Sequence, residues 1–194
     1  MRNYKCFNKS VFYFSDYSLL PIREQDKYLI KEWRNEQIDI LRQKELLTNE
    51  QQENYFRDVV RNLFNKDKPN QILWSFFLFN ELIGYGGLVH IDWDAKNAEI
   101  SFVLCNERNI NHELFKKDWF NYLNIISDVA KNYLFFNKIY TYAYDIRDYY
   151  FEVMYNLDFT LEARLKRHVL IKNKLHDVLI LSKSFEQDEN TNIN

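Results

Sequence analysis

Apolar residues along this chain switch between two periods, and the switches divide it into elements. Residues 10–15 and 18–22 are short apolar runs parted by Asp16 and Tyr17, which predict two strands. Leu29, Ile30 and Trp33 share one side of a helix over 27–35, with Asp26 as its predicted N-cap. Thr48 and Gln51 have the spacing of a capping box. Behind them Tyr55, Phe56, Val59, Val60, Leu63 and Phe64 repeat at helical intervals, until the polar run 66–70 ends the pattern. Strands are predicted over 72–79, 82–93 and 98–104; in the last, Ile100, Phe102 and Leu104 alternate with Glu99, Ser101 and Val103. Phe115, Trp119, Tyr122, Leu123, Ile126, Val129, Ala130, Tyr133 and Leu134 then form one stripe on a long helix over about 111–133. A strand over 138–144, a helix over 147–157, and strands over 161–171 and 176–184 complete the series.

This order predicts one domain over 1–184, a mixed sheet with helices on both faces, and a frayed polar tail over 185–194. A length of 194 residues is enough to bury a core without staples. The net charge of −2, with both signs mixed along the chain, leaves no footprint for nucleic acid. No apolar run reaches membrane-spanning length, and the first ten residues lack the apolar core of a signal peptide. Cys6 and Cys105 stand far apart and fit a reducing cytoplasm. The abundant aromatics accompany abundant Asn, Lys and Ile, so they read as compositional drift. Gly84, Gly86 and Gly87 all fall in one strand, which suggests close backbone approach or a bulge. They do not precede a helix, so a dinucleotide fingerprint is excluded.

Candidate chemistry begins at the hairpin around 94–97. A two- or four-residue loop there pairs Asp92 with Glu99 and sets His90 against Ser101. Those four side chains then share one face. Facing carboxylates are unfavourable unless a cation lies between them or one holds a proton. A site for an ammonium that must lose a proton has that character; a solvated polar face is the competing reading, and a bulged loop would break the pairing.

The turn from Asn106 to His112 is a second candidate. A strand running into a helix start offers unpaired N–H groups and a positive dipole end to an anion. Arg108 and the amides of 111–113 would hold it, with Asn109 or Asn111 providing the turn in place of glycine. An Asn-capped helix start is the plain alternative. His90, His112, His168 and His176 show no zinc spacing, so no metal is predicted. Cys105 reads as a small buried residue, and the Arg164, Lys166, Arg167 run as a solvated strand edge.

The element order, LLPIREQD followed by WRNE, IGYGGLVHIDW followed by AEISFVL, and the closing LEARLKRHVLIKNKLHDVLI together resemble the GNAT-type N-acetyltransferases over nearly the whole chain. The resemblance implies an α/β (α+β) fold with a mixed, mostly antiparallel seven-stranded sheet. It implies acetyl-CoA as acyl donor, with no metal. Its pyrophosphate loop, Gln/Arg-x-x-Gly-x-Gly/Ala, would fall on Arg108 to Glu113; Arg108 matches and both glycines are missing. Asn109, Asn111, His112 and Glu113 would complete that contact, and main-chain groups at Val103 and Leu104 would receive the pantetheine arm and the oxyanion. Glu99 would be the general base, and His90, Asp92 and Ser101 would face the substrate. The family's thiolate-protonating tyrosine would fall on Met154, which leaves Tyr155, Tyr150 and Tyr144 as rivals, Tyr155 being nearest in sequence. The expected function is acetyl transfer to a primary amine of a small molecule, a nucleotide-linked amino sugar of surface-glycan synthesis. The alternatives are a ribosomal-protein-type N-terminal acetyltransferase and a non-catalytic acyl-CoA-binding module. The protein would work in the cytoplasm, without nucleic acid or membrane, as a monomer or homodimer in which the last strand could pair with a second copy.

Overall fold

The structure is a computed structural model that describes residues 2–186. Of the tail expected over 185–194, Phe185 donates its amide to the Asn137 carbonyl, and residues 187–194 lie outside the described residues. Eight strands form one sheet in the order β1-β2-β3-β4-β5-β6-β8-β7. They are β1 (Phe12–Phe14), β2 (Tyr17–Pro21), β3 (Ile72–Leu78), β4 (Glu81–Asp92), β5 (Asn97–Leu104), β6 (Lys138–Tyr144), β7 (Thr160–Ile171) and β8 (Lys174–Ser184). The sheet has one strand more than the seven the resemblance implied; β1, which lies within the strand predicted over 10–15, is three residues long and pairs only with β2. All neighbours are antiparallel except β5 and β6, which run parallel. β8 lies inside the sheet, so the edge strand open to a second copy is β7 and not the last strand.

The helices are α1 (Lys27–Glu36), α2 (Asn49–Tyr55), α3 (Arg61–Leu63), α4 (Asn106–Ile110), α5 (His112–Asp128) and α6 (Asp148–Tyr155). The Thr48/Gln51 capping box forms as the spacing required. Asp26 does not cap α1 with its side chain. It is 2% exposed and instead accepts from both arms of Arg23 and from the Ser75 hydroxyl. A carboxylate removed from water needs such charged and polar partners more than a helix end needs a cap.

Alternation along the strands sorts the two faces. Phe76 and Phe102 meet the Tyr122 ring of α5 at 5.2 and 4.4 Å on one side. Ser75 and Tyr85 point the other way, toward Asp26 and toward Arg34 of α1. The glycines lie where the sheet is most crowded: a methyl on Gly87 would meet the Ile72 carbonyl, and one on Gly86 the Ser101 carbonyl and the Tyr122 hydroxyl. Tyr122 donates to the Ser101 carbonyl at 2.8 Å, tying α5 to β5.

Candidate active site

β5 and β6 stay together for only three residue pairs, Asn97–Glu99 with Lys138–Tyr140, and then separate. The fork holds a cavity of about 240 Å³ lined by Glu99 to Val103, by Tyr142 to Tyr144, and by Arg34, Arg42, Arg147 and Tyr150. Which main-chain groups face the fork follows from pairing on the other edge of β5. Cys105 donates its amide to the Ile83 carbonyl, so odd-numbered residues of β5 engage β4 and even-numbered ones face the opening. The Leu104 carbonyl, on that side, accepts from Gln37 Nε2 at 2.7 Å. The N–H groups of Phe102 and Leu104 are therefore the donors aimed into the fork. The amide of Val103, expected there, points to β4.

Glu99 stands at the fork with 5% exposure. Burial pushes its carboxyl up, and Arg42 and His90 pull it partly back. The expected partner, Asp92, is elsewhere. His90 sits at φ 50°, a bulge shifts the β4–β5 register after Val89, and Val89 rather than Asp92 lies opposite Glu99. Asp92 accepts from the amides of Asp94 and Ala95 and builds the turn. His90 does reach Glu99, at 3.8 Å from Nε2. The structure thus replaces a pair of carboxylates by one carboxylate between the Arg42 guanidinium and the His90 ring.

Arg42, absent from the sequence reading, makes the close ion pair with Glu99 and lies 4.8 Å over the Tyr142 ring. Its loop is pinned by Asn35, whose side chain bonds both main-chain groups of Leu47 and accepts from the side-chain Nε2 of Gln43. The WRNE segment therefore has three tasks. Trp33 fills the core, Arg34 lines the fork, and Asn35 holds the loop that brings Arg42 to Glu99. Arg34 donates to Tyr85 and Gln43, at 2.8 and 3.0 Å, and Arg147 donates to Asn109 at 3.3 Å. No carboxylate pairs with either among the described residues. Nothing in the sequence period marks Arg42 or Arg147, because neither belongs to an apolar stripe.

The turn before α5 is folded into α4. Arg108 grips the fully buried Asp118 with two bonds of 2.6 and 2.8 Å, and Tyr17 donates to the same carboxylate at 2.9 Å. The side chain expected to meet a pyrophosphate is thus an internal brace. Asn111 is the side-chain N-cap of α5, accepting from Leu114, as the plain reading had it. His112 stacks on Tyr149 at 4.1 Å, and Glu113 pairs with Lys116 at 2.9 Å. The fork fits a pantetheine arm, because free main-chain donors line it. The turn supplies no free arginine of its own for phosphates.

Tyr155 is 49% exposed and does not line the cavity, whereas Tyr150 of the same helix does. Burial pushes the Tyr150 phenol up to about 12, which disfavours its giving up a proton near neutral pH. Burial also raises the Cys105 thiol, which disfavours the thiolate a nucleophile needs. Among the described residues no group of His, Cys, Asp and Glu is arranged to hold a metal, and no helix is long and apolar enough to cross a membrane.

A parallel pair opens beside a buried glutamate within an otherwise antiparallel sheet, and comparison with known proteins says which fold this is. The family profile described as an acetyltransferase (GNAT) domain matches residues 19–180. The chain belongs to the GNAT acetyltransferases, enzymes that acylate amines with acyl-CoA. Among solved structures it is similar to a probable acetyltransferase at 14% identity, over 90% of this chain and 96% of that one, with a TM-score of 0.68. It is similar to spermidine N-acetyltransferase from Vibrio cholerae in complex with CoA and spermine at 15% identity, over 88% and 96%, with a TM-score of 0.70. It is also similar to Mycobacterium smegmatis RimJ in complex with CoA-disulfide at 13% identity, over 87% and 81%, with a TM-score of 0.67. No match was found among curated protein sequences.

Proposed function

We propose that this enzyme transfers an acetyl group from acetyl-CoA to the primary amine of a small molecule that also carries acidic groups, a nucleotide-linked amino sugar. The observation that carries this reading is the charge of the fork, where Arg34 and Arg42 stand beside a single carboxylate, Glu99. Half-buried guanidinium groups favour phosphate or carboxylate ligands and repel a polycation. That lining argues against a polyamine acceptor, even though one structural relative is named for spermidine.

Acetyl-CoA supplies an activated acyl carbon. Glu99, desolvated and raised, accepts a proton from the substrate ammonium, directly or through one water, and frees the amine lone pair. The N–H groups of Phe102 and Leu104 polarise the acyl oxygen and hold the charge that develops on it. Arg42 keeps Glu99 oriented and becomes the neighbour that takes up an acidic group of the acceptor. His90, beside Glu99 on the outer side, gives the proton a route to solvent. Thiolate departure needs no dedicated acid. The free Cys6 and Cys105 suit work in a reducing cytoplasm.

The test is thiol release from acetyl-CoA with a nucleotide-linked amino sugar, spermidine, and a peptide with a free N-terminus. The expected order places the amino sugar first. Preference for spermidine or for the peptide would overturn the acceptor assignment. Stabilisation by acetyl-CoA with no turnover of any amine would leave a binding module instead.

A further inference from the structure

Arg108 is committed to Asp118, yet the start of α5 is not without a cation. Arg147, at the entry to α6, lies 5.1 Å over the ring of Phe115, a residue of the first turn of α5, and 5.0 Å over Tyr150. Its Nη1 donates to Asn109 of α4. The side chain thus stands where α4, α5 and the fork meet, and it lines the cavity. Its neighbours there are neutral: two aromatic rings, an amide and the hydroxyl of Tyr149. A guanidinium taken partly out of water with no anion beside it is costly, and a planar fork of donors matches phosphate oxygens bidentately.

We infer that Arg147 seats the diphosphate of the coenzyme, taking the part of the glycine-rich turn that this chain lacks. Asn109 and the Tyr149 hydroxyl orient the guanidinium, and the Phe115 and Tyr150 rings fix its plane. Close backbone approach, for which glycine is needed, is replaced by the reach of a long side chain. The inference rests on acyl-CoA being the donor.

Calorimetric titration of the wild type and Arg147→Gln with coenzyme A and with acetyl-pantetheine, which has no phosphate, separates the possibilities. The expected result is a loss of about 10- to 100-fold in affinity for coenzyme A, with acetyl-pantetheine unchanged within about twofold. Equal coenzyme A affinity in both proteins overturns the inference, as does an equal loss for both ligands, which would mark Arg147 as part of the pantetheine slot. Should Arg147→Gln fail to fold, Arg147→Lys keeps the charge and loses the fork, and a loss of about 3- to 10-fold confined to coenzyme A is expected. An unchanged Lys variant is then the overturning result. A wild type that binds no coenzyme A removes the donor assignment itself, an outcome distinct from a wild type that binds and a variant that binds equally well.

Discussion

Glu99 and Arg108 were candidates of similar standing in the sequence, and their environments part them. Burial raises the Glu99 carboxyl, so between the ordinary carboxylate value and its own the folded protein binds more protons than the unfolded chain. Stability contributed by this group therefore falls as pH rises through that window, and the base becomes competent over the same window. Glu99→Gln is expected to lower kcat about 10²- to 10⁴-fold and to abolish the acidic limb of the pH–rate profile. It should also flatten the matching part of the stability profile. An unchanged limb would transfer the base to another residue. Arg108 belongs to a different economy. Asp118 is fully buried, and removing its bidentate partner leaves only the Tyr17 hydroxyl beside a charge in the interior. Arg108→Met should cost about 3–5 kcal/mol in urea unfolding and leave the coenzyme affinity of the folded protein unchanged. A stable variant with weakened coenzyme binding would restore Arg108 to the phosphate site.

At the scale of elements, the three glycines of β4 make a graded experiment. A methyl at Gly87 meets the Ile72 backbone, and one at Gly86 meets the Ser101 carbonyl and the hydroxyl that ties α5 to β5. At Gly84 the nearest atom is the Val103 carbonyl at 2.6 Å, followed by Leu104 at 3.2 Å. Backbone in the middle of a sheet yields little, so Gly86→Ala and Gly87→Ala should each cost more than about 2 kcal/mol. Gly84→Ala should cost less. Equal urea midpoints for the three would show that β3 and β5 can move aside. These glycines also show what a sequence discloses. The crowding was legible, because glycine in a strand has few other causes, and so were the alternation of β5, the stripe of α5 and the capping box at Thr48. The register of β4 on β5 was not. A single residue at positive φ, His90, shifts the pairing, and no period records a bulge. α4 was missed because Asn106–Ile110 is one short turn whose single apolar residue, Ile110, is exposed and makes no stripe. Arg34 and Arg42, from α1 and the loop that follows it, converge with the distant Arg147, and a charged side chain outside an apolar stripe carries no pattern of its own.

For the whole molecule, the consequence of the fork is a sheet in two halves. β1 to β5 form one and β6, β8 and β7 the other, and three residue pairs join them. Further links run through α5 and α6, which pack on each other, through the cation–π contact of Arg42 with Tyr142, and through the Lys172–Asp39 ion pair. A ligand that adds its own hydrogen bonds to Phe102 and Leu104 and fills the gap beside Tyr142 and Arg147 would extend the sheet where it is interrupted. Coenzyme at about 100 times its dissociation constant should then stabilise the fold by roughly 2.7 kcal/mol. The distribution of that gain is the sharper prediction. Hydrogen exchange should slow at the amides of Phe102 and Leu104, which face the fork, and not at Ser101 and Val103, which β4 already protects. Residues of β1 and β2, at the opposite edge, should exchange as before unless they open only with global unfolding. Protection that fell equally on odd and even positions of β5 would mean that the ligand tightens the whole half-sheet without entering the fork. The assignment of the acyl arm to this opening would then fail, whatever the enzyme's turnover.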